Sequence, residues 1–442
     1  MALHMNIKSI EKSGLAMAMF SIIVVSFPLF SLAIKGWVSG VLFLSCALAV
    51  YLYFQEWISG PKGYQLRQDF QSLPYVPRLF LCLLCLIFFL PFLSVLLSQA
   101  LLNDWSIARY DGPSRYIFSL LIFFAIFQFK TVVSILIPYA FPIAAIATFT
   151  FLPFLPQTGW AIAIENRLTS YFIDPLIFGQ LSLVFGALSF FSIDFNKKRN
   201  LFDTLFKVMG GVAGFYLSIK SGSRTGWPAI PFLLVIFILC ATGRLRLRAI
   251  LISVVITVAL LLASYQGSST IREKVSATAH EITTYKWDSL NEHTSVGARI
   301  SFIRMGVYYF SMRPVSGWGS QSLEPHINDP KLMAFASQET RDELMRVGFH
   351  NDFINNMVHF GVLGLISTIF VFIIPFFFFI YSISKKIGVP YSILGIAYIF
   401  IQSISCLTYH ILDFKFMASF YSLLIAILMG IVMREFRNKS NL

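Results

Sequence analysis

Gly361-Val362-Leu363-Gly364-Leu365-Ile366-Ser367-Thr368-Ile369-Phe370-Val371-Phe372-Ile373-Ile374-Pro375-Phe376-Phe377-Phe378-Phe379-Ile380-Tyr381 holds no Lys, Arg, Asp or Glu. Coiled as a helix, the stretch rises about 31 Å, which matches the hydrocarbon core of a bilayer. A helix of an aqueous fold keeps a polar face, and this one has none. The rest of the chain agrees: hydrophobic residues make up 57% of the 442 and charged residues 12%, with 47 Phe. The fold class is therefore an all-α polytopic membrane protein.

Working outward, apolar runs fall near 13–34, 37–54, 79–101, 116–129, 131–152, 175–193, 203–219, 227–242, 249–265, 359–383, 390–408 and 416–433. They predict about 12 transmembrane helices. Only Lys130 separates the fourth run from the fifth, and Pro138 and Pro142 predict a kink there. Three parts follow: 1–265 with nine spans, a helical loop domain at 266–358, and 359–442 with three spans and a tail. The opening Met1-Ala2-Leu3-His4-Met5 reads as a cloning remnant with the native start at Met5.

Basic residues orient the spans. One alternate set of short loops and ends holds 17 of them: Lys8, Lys12, Lys62, Arg67, Arg78, Lys130, Lys197, Lys198, Arg199, Arg244, Arg246, Arg248, Lys385, Lys386, Arg434, Arg437 and Lys439. The opposite set holds 7: Lys35, Arg109, Arg115, Arg167, Lys220, Arg224 and Lys415. The imbalance predicts cytoplasmic termini and puts the 266–358 loop on the other side. The net charge of +13 is then a topogenic signal, with no nucleic-acid partner expected. Cys46, Cys82, Cys85, Cys240 and Cys406 all lie in apolar runs, which argues against a structural disulfide. Cys82-Leu83-Leu84-Cys85 has no polar surroundings to stabilise thiolates.

Within the loop, Ser295 to Met312 predicts a helix whose broad apolar face (Ile300, Phe302, Ile303, Met305, Val307) suits a membrane surface. Asp329, Pro330 and Gly348 mark the cap, first turn and end of a second helix. Two polar residues stand where apolar runs meet the non-cytoplasmic side. Arg224, in Ser221-Gly222-Ser223-Arg224-Thr225-Gly226-Trp227, offers a planar fork suited to phosphate oxygens; equally, it reads as a helix-end arginine snorkelling to the interface. His350, in Gly348-Phe349-His350-Asn351-Asp352, sits beside a helix N-terminus, whose dipole favours a neutral ring able to act as general base. Asn351 or Asp352 would orient that ring or cap the helix. Arg299 opens the first loop helix and by itself reads as an ordinary amphipathic-helix arginine, and Arg304 on another face as a solvated charge. His280, His293, His326, His359 and His410 have weaker contexts. No D-x-D, H-E-x-x-H or paired-cysteine pattern marks a metal site on this side, so neither metal nor cofactor is expected.

The order Ser223-Arg224, Gly297-Ala298-Arg299, Arg313-Pro314-Val315-Ser316-Gly317-Trp318-Gly319, His350-Asn351 and Gly361-Val362-Leu363-Gly364 resembles the O-antigen ligases and their polymerase relatives over essentially the whole chain. That resemblance implies a glycosyltransferase of the bacterial inner membrane with a periplasmic active site. It would move polysaccharide from undecaprenyl pyrophosphate to a sugar hydroxyl of lipid A-core, without metal. Arg224 and Arg299 would hold the pyrophosphate and His350 would take the acceptor proton, with inversion at the anomeric carbon. Lys220 and Arg346 become secondary candidates for phosphate contacts. An O-antigen polymerase or a protein-glycosylating oligosaccharyltransferase of the same superfamily differs in acceptor alone. A transporter or flippase would place its ionisable residues near the midplane and repeat its halves, which this chain does not.

Overall fold

The computed structural model describes residues 2–59, 65–151, 167–194, 200–242, 247–267, 269–286, 294–320, 323–412 and 414–440. Met1, Lys62, Lys197, Lys198, Arg199, Arg244, Arg246 and His293 lie outside the described residues. Among those described the chain is all-helical: α1 (Ala2–Val25), α2 (Trp37–Ser59), α3 (Gln65–Ser72), α4 (Tyr75–Leu102), α5 (Asp111–Gln128), α6 (Val133–Phe151), α7 (Pro175–Phe191), α8 (Leu201–Lys220), α9 (Ile230–Thr242), α10 (Leu247–Gly267), α11 (Ser269–Thr283), α12 (Ser295–Met312), α13 (Pro330–Met333), α14 (Gln338–Val347), α15 (Asp352–Ser384), α16 (Val389–Cys406) and α17 (Lys415–Ser440).

Each of the twelve apolar runs falls on a helix, but by length and composition six of the described helices can cross a bilayer: Trp37–Ile58, Tyr75–Leu102, Val133–Phe151, Asp352–Ser384, Val389–Cys406 and Lys415–Ser440. Gly14–Val25, Pro175–Phe191 and Trp227–Cys240 are shorter apolar helices. Charge accounts for part of the difference: α5 spends its first turns on Asp111 and Arg115, and α8 carries Asp203 and Lys207.

The bundle is organised around α17. Of its most apolar window 94% is buried, against 39% for α2 and for α4, so α17 is solvated by protein all round while α2 and α4 turn one face outward. Exposed Phe43, Leu86 and Phe377 fit a lipid-facing surface. Small side chains let α17 approach its neighbours: the Ser119 hydroxyl donates to Ser422 at 2.8 Å, and the Tyr421 hydroxyl donates to the Val371 carbonyl at 2.7 Å. At the end of α17 that carries its basic residues, Arg434 donates to the carbonyl of Phe129 and to Thr131, and Arg437 to Asp69.

At the other end α15 begins at Asp352, above the expected 359, and is broken at Phe360 and Gly361 (φ −124° and +65°). The break is where the Arg313–Gly319 turn docks. Val362 N–H donates to the Pro314 carbonyl at 2.8 Å, Trp318 N–H to Val358 at 3.0 Å and Gly319 N–H to His359 at 2.7 Å. A Cβ on Gly361 would stand 2.2 Å from the Val315 carbonyl oxygen, so only glycine permits both the left-handed backbone and the contact.

Above the break a second hydrophobic core gathers Phe302, Met305, Tyr309, Trp318, Leu332, Leu344 and Phe349. The broad apolar face expected of α12 is thus divided: Phe302 and Met305 are buried in this core, and only Ile303 and Val307 remain exposed. Arg304 lies over the Phe335 ring at 4.8 Å. The single helix expected after Asp329 is also divided. Asp329 caps only the one-turn α13, and Ser337 caps α14 anew by accepting from Thr340 N–H at 3.3 Å. The expected stop at Gly348 is present, with φ +73°.

Candidate functional site

Four segments converge at this end of the bundle: the approach to α7 (167–174), the α8–α9 turn (221–226), the first turns of α12 and the 348–352 turn, closed over by residues 407–412 between α16 and α17. The 221–226 turn is rigid. Ser221 Oγ accepts from Ser223 N–H, Ser223 Oγ donates to the Leu176 carbonyl at 3.1 Å, and the Thr225 carbonyl accepts from Thr408 at 3.4 Å. Gly222 is left-handed (φ +64°), and a Cβ there would meet Arg167 Nε at 3.1 Å. Arg167 in turn donates from Nε to the Ser221 carbonyl at 2.9 Å.

Arg224 projects exposed from this turn. Its charge reaches both Arg167 and Arg299. Burial pushes the Arg299 guanidinium below its usual range, the Arg224 charge adds to this, and Glu281 opposes it. For Arg167 burial again leads, opposed by Asp174 and reinforced by Arg224. Like charges within mutual range are unfavourable unless an anion neutralises them.

His350 takes a left-handed backbone (φ +49°) between the α14 stop and the Asn351 cap. Its ring stacks on Phe302 (centroids 5.9 Å apart) and packs near Tyr409 (5.1 Å) and His410 (5.8 Å). Because Arg299 and Phe302 are one helical turn apart, α12 delivers a cation and a stacking face together. Nδ1 of His350 is buried without a hydrogen-bond partner, and so is Nδ1 of His410. The ring's pKa is pushed down to about 4, chiefly by burial and further by His410 and Arg299. The neutral ring expected from a helix dipole is thus neutral first because it is desolvated.

The flanking candidates have definite partners. Asn351 Oδ1 caps α15 by accepting from Phe353 and Ile354 N–H, and its Nδ2 donates to the Leu407 carbonyl. Asp352, expected to orient the ring or cap the helix, is fully buried and instead accepts from the N–H groups of Ile411 and Leu412, fastening the loop. Lys220 turns back onto Tyr216, 5.7 Å from Nζ to ring centre, and exposed Arg346 faces Glu343 of its own helix at 3.6 Å. The structure therefore brings Arg224, Arg299 and His350 into one cluster and engages Lys220, Arg346 and Asp352 elsewhere.

The cluster also contains residues that sequence reading passes over. Asp174 caps α7 by accepting from Leu176 and Ile177 N–H, and it accepts a 3.4 Å hydrogen bond from the Tyr409 hydroxyl. Burial raises its pKa against those bonds. Arg167 was legible only as one of seven basic residues on the poorer side; its neighbour in space, Arg224, is 57 positions away. His410 carries no motif at all. Among the described residues no three His, Cys, Asp or Glu side chains converge as metal ligands.

Helices long and apolar enough to cross a bilayer, with guanidinium groups collected around an uncharged imidazole, define a multi-pass membrane protein with a cationic cluster at one end of its bundle. Residues 209–369 match the family model described as O-antigen ligase, a span that includes Arg224, Arg299 and His350 and supports assignment of the chain to the O-antigen ligase family. Such a match supports glycosyltransferase-type ligase chemistry on lipid-linked glycans in general terms. The chain is also 24% identical over 368 residues to an uncharacterized protein of Haemophilus influenzae (strain ATCC 51907 / DSM 11121 / KW20 / Rd), covering 76% of this chain and 85% of that protein.

Proposed function

We propose that the protein transfers O-antigen polysaccharide from undecaprenyl pyrophosphate to a sugar hydroxyl of lipid A-core at the periplasmic face of the bacterial inner membrane. The observation that carries this reading is that Arg299 lies within electrostatic range of both Arg224 and His350, residues 126 positions apart, with the further cation Arg167 beside Arg224.

In the proposed reaction the acceptor oxygen attacks the anomeric carbon as the bond from that carbon to the pyrophosphate oxygen breaks. His350 receives the hydroxyl proton, and the bonding pair leaves with undecaprenyl pyrophosphate. Attack opposite the departing group inverts the centre. Arg224 and Arg299, with Arg167 behind them, meet the charge that accumulates on the leaving phosphate, which is where fixed cations lower a barrier most. The proton on His350 then returns to solvent.

The low basicity of His350 in the free protein fits this sequence. Arg299 is one cause of it, and a bound pyrophosphate offsets that positive charge. Donor binding therefore raises the basicity of the ring just when a base is needed. Both termini are cytoplasmic in this reading, which puts Arg434 and Arg437 at the inner face.

The test is genetic and biochemical. In a smooth strain lacking the gene, long O-polysaccharide should persist on the undecaprenyl carrier while lipid A-core carries none, and His350→Ala should reproduce that pattern with the protein still inserted. Core bearing a single repeat would identify a polymerase instead. Normal attachment by His350→Ala would remove the base from the mechanism.

A further inference from the structure

On the side of residues 407–412 away from His350 lies a cavity of about 330 Å³, bounded by α4, α5, α15 and the start of α17. That is the size of a small-ligand site. Arg109, Asp111 and Lys415 stand at its mouth, Asn356 and Thr368 line one wall, and Val371 lies deeper. The wall is pre-arranged: Asn356 Nδ2 donates to Thr368 Oγ1 at 2.9 Å, spanning the break in α15.

The charge at the mouth is unbalanced. The Asp111 carboxylate is shared between Lys415, at 2.6 Å, and Arg115. Among the described residues no carboxylate pairs with Arg109. Among the described residues two cations, Arg109 and Lys415, thus line the cavity with one carboxylate, and Arg109 sits over hydroxyl and amide groups that can bind a polar ligand's remaining oxygens. Beside Arg109 the chain exposes Trp105 (60%) and Ile107 (90%), side chains that anchor a turn in the interfacial layer of a membrane. A ligand drawn from a bilayer would pass these side chains before reaching the cations.

We propose that this cavity seats the phosphorylated head of a membrane amphiphile, as a second ligand site separate from the Arg224 cluster. The two sites share a wall. Leu412 and Phe414 line the cavity, while Tyr409 and His410 of the same loop meet His350 on its other side, and His410 stacks on Phe414 at 5.7 Å. Identifying the amphiphile as the acceptor of the transfer rests on the function proposed above; the anion site itself does not.

Binding can be measured on the full chain in phosphatidylcholine nanodiscs, with bis-phosphorylated lipid A, its dephosphorylated form and inorganic phosphate as probes. Arg109→Gln removes the unpaired cation. Gly112→Leu fills the cavity from a position whose Cβ would have only the Leu412 carbonyl oxygen within reach, at 4.0 Å. We expect lipid A to bind at least tenfold more tightly than its dephosphorylated form, each variant to lose that advantage with an unchanged melting midpoint, and Arg224→Ala to keep it. Equal binding of the two lipids, or full affinity in both variants, overturns the proposal. Inorganic phosphate binding as tightly as lipid A, and dependent on Arg109, overturns the amphiphile and leaves a free-anion site. If His350→Ala still transfers glycan while Arg109→Gln has lost lipid A, the seat stands and the transfer reading fails.

Discussion

The two ends of the bundle set their arginines among different partners. At one end Arg434 donates to the Phe129 carbonyl and to Thr131, and Arg437 pairs with Asp69 at 2.8 Å while lying over Phe127. At the other, burial first and the nearby Arg224 charge second hold Arg167 and Arg299 below the usual guanidinium range. An arginine whose fork is already occupied staples helices together. A set of arginines that repel one another raises the energy of the free protein, and this cost is recovered only when an anion arrives. Carbonyls and a carboxylate surround the guanidinium groups at the first end, and a third cation, Arg224, adds its charge at the second.

The comparison is most severely tested at His350. His350→Ala should lower transfer from an undecaprenyl-linked donor by about 10²–10⁴-fold, the usual contribution of a general base; loss of less than tenfold would show the ring to be a packing residue. Arg224→Ala or Arg299→Ala should each cost about 10²–10³-fold in rate. Arg437→Ala, at the opposite end, should leave the rate per folded molecule unchanged and instead cost about 3 kcal/mol of stability, because Asp69 is left largely buried without its partner. Equal rate losses at the two ends would erase the distinction. Gly361→Ala should cost about 2 kcal/mol through a strained backbone and the contact with Val315, seen as a lowered thermal midpoint.

The smallest effect expected is on pH. With the His350 pKa near 4 in the free protein, the neutral base persists as pH falls through the ordinary histidine range, so the acid limb of kcat/KM attributable to it lies near pH 4. Arg299→Gln should move that limb upward, since one cause of the low value is gone. The sign for stability is also determined: between pH 6.5 and about 4 the unfolded chain takes up a proton that the folded chain refuses, so acidification over that window destabilises the wild type and should do so less in His350→Ala.

Much of the fold was legible because bilayer helices are written as apolar runs, and each of the twelve runs falls on a helix. What escaped was geometry inside the runs. Gly361 looks like any other small residue in a span, and only its contact with the Arg313–Gly319 turn reveals a break. Asp329 and Ser337 are both good caps, but nothing local says that Ala334 to Ala336 will interrupt the helix between them. The candidate site divides the same way. Arg224 and His350 stood out because a polar residue at the edge of a span costs free energy and needs a reason. Arg167, Asp174 and His410 join them through contacts spanning up to 235 positions, which no local pattern encodes.

The axial helix Lys415–Ser440 leaves the ribosome after every helix it packs against. Until it is threaded in, the earlier segments surround an unfilled axis, and Ser119 lacks its cross-helix bond to Ser422. The axis is therefore filled from the inside after the helices around it are made, and a lesion in this one segment should be felt as failure of the whole bundle to close.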